Sequence, residues 1–259
     1  MKTEKVVDHI VSWLVDYCDK AKMKGFVVGV SGGIDSAVTS TLCATTGRPV
    51  WALNLPILQD PAQVSLAARH IAWLTNRFDN VRTETVDLSN VLASLQDALP
   101  DGVGDTRTLA NTRSRLRMVT LYAFASHYTL LVAGTGNKIE DFGVGFYTKY
   151  GDGGVDISPI ADLVKTEVYE TARHLGVIQE ILDVPPTDGL WPDNRTDENQ
   201  IGATYPELEW AMAFDATGED PSLLSARRQE VLAIYRRFHR ANRHKMDPIP
   251  VCRIPNDLR

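Results

Sequence analysis

The chain has 259 residues, 44% of them hydrophobic and 23% charged, with a formal net charge of −6. A chain of this length can bury roughly 70–75% of its unfolded surface without a metal or disulfide clip, and Cys18, Cys43 and Cys252 are too few and too scattered for a disulfide framework or a zinc knuckle. No apolar run approaches the ~20 residues of a membrane span, the acidic balance argues against a nucleic-acid footprint, and residues 1–5 do not open a signal peptide; the cytoplasm is the expected compartment, with neither nucleic acid nor membrane as partner.

Val6, Val7, Ile10, Val11, Leu14 and Val15 recur at helical spacing and predict a first helix over 6–23. The run FVVGV (26–30), apolar and largely β-branched between Gly25 and Ser31, predicts a buried parallel strand. A helix over 35–46 stops before Gly47, and a second strand over 49–55 ends at Pro56. Pro61 suits the first turn of a helix over 61–75. Residues 81–88 alternate as a third strand, and helices over 89–99 and 108–127 flank the turn-rich DGVGD. The run TLLVAG (129–134) predicts a fourth buried strand, followed by a polar, glycine-rich segment over 135–156. Helices over 161–175 and 177–182, a long functional loop over 183–203, a helix over 221–243 and a Pro-rich tail complete the reading.

Strand–helix alternation of this kind predicts an α/β fold, a doubly wound parallel sheet flanked by helices, Rossmann-like and forming one domain over 1–259. Right-handed crossovers bring the carboxyl ends of strands one, two and four to one edge, where ligands of such folds bind. Ser31, Asn54 and Thr135 are therefore expected around one crevice.

The sharpest local signal is Ser31-Gly32-Gly33-Ile34-Asp35-Ser36, between a strand and a helix. Its glycines let backbone N–H groups converge on an anion, and the helix start adds free donors and a positive dipole end. There is no Gly-Lys-Ser/Thr of a Walker loop. Asp35 is either a helix-start cap and dipole partner or a carboxylate that shares a cation with phosphate, which points to Mg²⁺.

SGGIDS after FVVGV resembles the pyrophosphate loop of the adenine-nucleotide hydrolase-like ATPases, which cleave ATP between its α and β phosphates. Together with GTGNKIE (134–140) and GFYTKYGDGGVD (145–156), in that order, it makes the chain resemble the ammonia-dependent NAD synthetases from the first helix to His244-Lys245. The resemblance implies that the nicotinate carboxylate of deamido-NAD is adenylated by ATP and that ammonia then displaces AMP, the last step of NAD biosynthesis. It implies ATP contacts at Ser31, Gly32, Gly33, Ile34, Ser36, Thr135, Lys165 and Thr187, Mg²⁺ on Asp35 and Glu140, and deamido-NAD contacts at Arg115, Lys149, Asp156, His244 and Lys245. Asp35 and Lys165 would act in catalysis; Asp152 or Asp156 would handle the ammonium proton. A homodimer with deamido-NAD at the subunit interface is implied as well. The motifs occupy 26–245, which leaves no room for a glutamine-hydrolysing domain, so free ammonia is the expected donor.

Without the resemblance, the three arginines 113, 115 and 117 and Lys165 read as solvated charges, Phe146, Tyr147 and Tyr150 as packing residues, and His244-Lys245 as a dipole partner at a helix end. Two departures from the family pattern stand out. Gly136-Asn137 replaces the commoner Asp-His, and one extra residue separates Glu140 from FYTKYGDGG. A related adenylating ligase and a non-catalytic ATP-binding module are the alternatives; AMP and pyrophosphate release separates them.

Overall fold

The computed structural model describes residues 1–187 and 196–259. Four strands, β1 (Gly25–Gly29), β2 (Val50–Asn54), β3 (Val81–Thr85) and β4 (Leu130–Val132), form a fully parallel sheet in the order β3-β2-β1-β4. The chain therefore winds outward from β1 to β3 and returns to the other side of β1, which makes the carboxyl end of β1 the switch point where crevices open in such sheets.

The flanking helices are α1 (Thr3–Lys20), α2 (Ile34–Thr45), α3 (Pro61–Arg77), α4 (Ser89–Ala98), α5 (Thr106–Tyr128), α6 (Lys165–Leu175) and α7 (Gln179–Leu182). Alternation along β1 divides the core. Phe26 and Val28 pack with α1, α2 and α6 on one face, while Val27 packs with Leu53 of β2, Leu92 of α4 and Ala125 of α5 on the other. Beyond the sheet, α8 (Asp197–Ile201), α9 (Tyr205–Thr217) and α10 (Ala226–Met246) follow; α9 and α10 build a second cluster around Leu208, Ala211, Val231 and Tyr235. Among the described residues no helix is long and apolar enough to cross a membrane.

Several boundaries differ from the sequence expectation, each for a local reason. The third strand ends at Thr85 rather than 88: it is the sheet edge, and only Val81 of its five residues is buried. The helix expected from 161 starts at Lys165, because Val164 is extended (ψ 162°) and its N–H donates to the Glu167 carboxylate 3.1 Å away. The last helix starts at Ala226, capped by Ser225, after a short 3₁₀ turn at Pro221–Leu223. Within the expected loop 183–203 the structure forms α8, and residues 188–195 lie outside those described.

Two elements had no counterpart in the sequence expectation. One is α9, opened by a capping box in which Thr204 and Glu207 exchange hydrogen bonds. The other lies inside the segment 135–156, where Ile139–Val144 forms a π-helical turn. Such a wide turn accommodates one residue more than an α-turn. Its start is held by Asn137, whose Oδ1 accepts from the N–H groups of Ile139 and Glu140 at 3.1 Å each. Its end is held by α10: Asn242 and Lys245 donate to the carbonyls of Val144 and Gly145 at 2.8 Å each, and His239 Nδ1 lies 2.8 Å from the carbonyl of Gly143. These three side chains follow i, i+3, i+6 spacing along one face of α10.

Candidate functional site

A cavity of about 610 Å³ opens at the carboxyl edge of the sheet. Ser31, Asn54 and Thr135 all line it, as the strand topology requires.

The loop after β1 forms its floor. Gly32 has φ +88°, and a Cβ there would stand 3.0 Å from the carbonyl oxygen of Gln63, so both conformation and space call for glycine. Ser31 and Ser36 brace the loop with hydroxyls 3.2 Å apart; Ser36 also donates to the Gly33 carbonyl at 2.9 Å. Gly33 stands at the N-cap of α2 with no side-chain cap, so the first turn of α2 presents backbone donors to the cavity. Asp35 faces elsewhere than a cap would.

Its carboxylate meets two residues far away in sequence. Lys165, only 2% exposed at the start of α6, donates to Asp35 Oδ2 at 2.5 Å and to Glu140 Oε1 at 3.0 Å. Asn137 donates to Asp35 Oδ1 at 3.1 Å, and the Tyr205 hydroxyl of α9 lies 2.6 Å from Glu140 Oε1. The Lys165 ammonium also sits 4.7 Å over the Tyr205 ring. One buried cation thus serves two half-buried carboxylates, and the cluster holds an excess negative charge. Burial raises the Asp35 carboxyl above its usual range, against the pull of Lys165. Burial alone would lower the Lys165 ammonium, but the two carboxylates outweigh it and hold its pKa above the ordinary lysine range.

Asp152 lines the same cavity. Its Oδ1 accepts from Ser114 Oγ at 2.7 Å and from the Thr148 N–H at 2.9 Å. Desolvation by the surrounding protein raises its carboxyl despite those two bonds. Arg115, Lys149, His244 and Lys245 gather at one end. Arg115 Nε donates to the Lys149 carbonyl at 3.4 Å, Lys149 Nζ to the His244 carbonyl at 2.5 Å, and Lys245 bridges the carbonyls of Gly145 and Tyr147. Thr187 lines the cavity with Val184, Pro185 and Pro186. Asp156 differs from the others: it does not line the cavity, and its two oxygens accept from Tyr122 Oη at 3.0 Å and the Val132 N–H at 2.8 Å. Of the two candidates for the ammonium proton, only Asp152 faces the cavity.

Four further residues at the site carried no site role in the sequence reading, and one of them, Arg117, read there as a solvated charge, is instead half-buried. Tyr205 had a signal in the Thr204…Glu207 capping box. Asn137 and Asp141 belong to the anomalous spacing around Glu140. Arg117 donates from Nε to the Leu55 carbonyl at 2.9 Å, and burial lowers its guanidinium to about 10.

A family model described as NAD synthase matches residues 6–248. The NH(3)-dependent NAD(+) synthetase of Methanosarcina acetivorans is 35% identical over 97% of this chain and 98% of its own length. The solved structure of NMN synthetase from Francisella tularensis aligns with a TM-score of 0.84 at 33% identity, covering 99% of both chains. The NH3-dependent NAD synthetase of Campylobacter jejuni aligns with a TM-score of 0.79 at 24% identity, over 98% of this chain and 100% of that one, and shows the shared fold.

Proposed function

The chain belongs to the NAD synthase family, whose reaction is the ATP-dependent amidation of deamido-NAD to NAD, and from that premise we propose how its residues carry the reaction. The observation that carries the reading is the meeting of Asp35, Glu140 and Lys165 beside the Ser31–Ser36 loop in a single cavity.

ATP lies with its phosphates on the loop amides and on Ser31 and Ser36, with Thr135 and Thr187 at the flanks. Deamido-NAD takes the part of the cavity where Arg115, Lys149, His244 and Lys245 gather, while Asp156, off the cavity, ties Tyr122 of α5 to the end of β4. The nicotinate carboxylate oxygen attacks the α-phosphorus, the bond from that phosphorus to pyrophosphate breaks, and pyrophosphate leaves with the electron pair. Two anions must approach each other, so positive charge and alignment supply most of the rate. Lys165 is held where it can turn from the carboxylates to the departing phosphate oxygens.

Asp35 and Glu140 would hold Mg²⁺ as two hard oxygen donors beside the phosphate loop once the Lys165 ammonium, which sits between them here, turns away to the phosphates. When bound, the metal would neutralise charge on the pyrophosphate oxygens. In the second step ammonia forms a C–N bond to the acyl carbon, the C–O bond to the α-phosphate breaks, AMP departs, and Asp152 receives the proton shed by the nitrogen. Free ammonia is the donor, a homodimer the working assembly and the cytoplasm the compartment; the NH(3)-dependent relative that aligns along its whole length supports the first of these.

The test is AMP and pyrophosphate release by the purified protein with ATP and Mg²⁺, with and without deamido-NAD, and with ammonium or glutamine. Release that requires deamido-NAD and ammonium is expected. Glutamine alone supporting turnover, or release indifferent to the acceptor, would refute the reading. Similarity to the Francisella structure favours a second acceptor, nicotinate mononucleotide, to be run in parallel; a higher kcat/KM for the mononucleotide would replace deamido-NAD as the substrate. Arg115→Ala should raise the KM for the nicotinate acceptor by roughly tenfold or more while leaving that for ATP within about twofold, as loss of a charged contact does. Equal effects on both would remove Arg115 from the acceptor site.

A further inference from the structure

The reaction as described makes no use of the two departures from the family pattern, Gly136-Asn137 and the extra residue after Glu140. The structure joins them. A Cβ placed on Gly136 would lie 2.1 Å from Oδ1 of Asp141, 2.3 Å from its Oδ2 and 2.4 Å from its Cγ. The space that a side chain at 136 would fill is thus filled by the carboxyl group of Asp141. The π-helical turn Ile139–Val144 brings it there, since the added residue places Asp141 on the cavity side directly after Glu140. Asn137, the other half of the departure, anchors that turn from its start.

The Asp141 carboxyl lines the cavity alongside Asp35, Glu140 and Asp152. Those three carry hydrogen bonds from Lys165, Asn137, Tyr205, Ser114 or Thr148, whereas among the described residues nothing donates to the Asp141 side chain. Asp141 is half-buried, and a carboxylate without a donor among other carboxylates gains from a ligand that supplies one. Of the reactants in the function proposed above, only ammonium is a cation, and it is also the smallest N–H donor.

We propose that Gly136 and Asp141 are a matched pair, and that Asp141, presented by the π-turn in the space left open by Gly136, binds the ammonium co-substrate through its N–H groups beside Asp152. In this chain the acid that the commoner pattern carries at 136 is delivered from 141. The assignment rests on the amidation reading above.

Asp141→Asn keeps the shape and removes a like charge, so its melting temperature should hold or rise. Its half-saturating ammonium concentration should rise roughly tenfold to a hundredfold, the range for a charge-assisted hydrogen bond, with those for ATP and the nicotinate acceptor within about twofold. Gly136→Asp alone forces two carboxyl groups into one space and should lower the melting temperature. Gly136→Asp combined with Asp141→Ala relieves that clash and should recover ammonium affinity over Asp141→Ala alone. Unchanged ammonium dependence in an active Asp141→Asn protein, an equal rise for all three substrates, or no recovery in the exchanged pair would overturn the proposal. A shifted Mg²⁺ requirement with ammonium unchanged would overturn it too, moving the carboxyl to the metal. Ammonium-dependent thermal stabilisation, compared with sodium, reads the same site without turnover. If the wild-type protein makes no AMP from deamido-NAD and ammonium, the amidation reading fails, and the stabilisation assay still reports whether Asp141 holds the cation.

Discussion

Replacing Lys165 with methionine should abolish turnover and cost the fold about 3–5 kcal/mol, the usual penalty for leaving a buried charge uncompensated. The ammonium is 2% exposed and bonded to both Asp35 and Glu140, so its removal leaves two carboxylates facing each other. The chemical loss should exceed about a thousandfold, because a cation facing the leaving phosphate acts mainly in the transition state. Equilibrium denaturation and single-turnover AMP formation measure the two effects separately. Added Mg²⁺ should raise the melting temperature of the variant more than that of the wild type, since the vacated point between the carboxylates is then free to accept it. A variant as stable as the wild type, with Mg²⁺ indifferent, would show that Lys165 does not balance this pair.

Asp35→Asn should have the opposite balance of effects. The change leaves one carboxylate for one ammonium and removes a carboxylate whose charged form burial disfavours. Stability should therefore stay level or improve. Pyrophosphate release should nevertheless fall by about 10²–10³, the cost of deleting one electrostatic element of a preorganised site, and the Mg²⁺ concentration needed for half-maximal rate should climb. Wild-type turnover by the purified variant would remove Asp35 from the metal and return it to a helix-start role.

The sheet and its helices were legible because apolar residues in this chain repeat with clear periods. FVVGV and TLLVAG announce strands buried on both faces, and the strand order follows from short right-handed crossovers. The loop at 31–36 was legible from its glycines and its position between strand and helix. Helix α9 was not, because Leu208, Trp210, Ala211, Met212 and Phe214 spread apolar character around it and blur the helical period. The charge cluster was not legible from spacing either: Asp35, Glu140 and Lys165 lie 130 and 25 residues apart in their two pairings, and only the family resemblance pointed to all three. Asp141 was visible merely as one residue too many. That residue acquires meaning once the π-turn and the empty position at Gly136 are seen together.

The ladder of His239, Asn242 and Lys245 has a consequence for how the enzyme comes into being. These side chains clasp a turn that precedes them by 96 to 100 residues. A growing chain can form the four-stranded sheet and the phosphate loop long before α10 exists, but the end of the turn that carries Glu140, unlike its Asn137-held start, has no clasp until then. Contacts of such long sequence separation close late. An unfinished or C-terminally clipped chain would thus hold the sheet and the phosphate loop while the carboxyl end of the turn after Glu140 stayed unclasped.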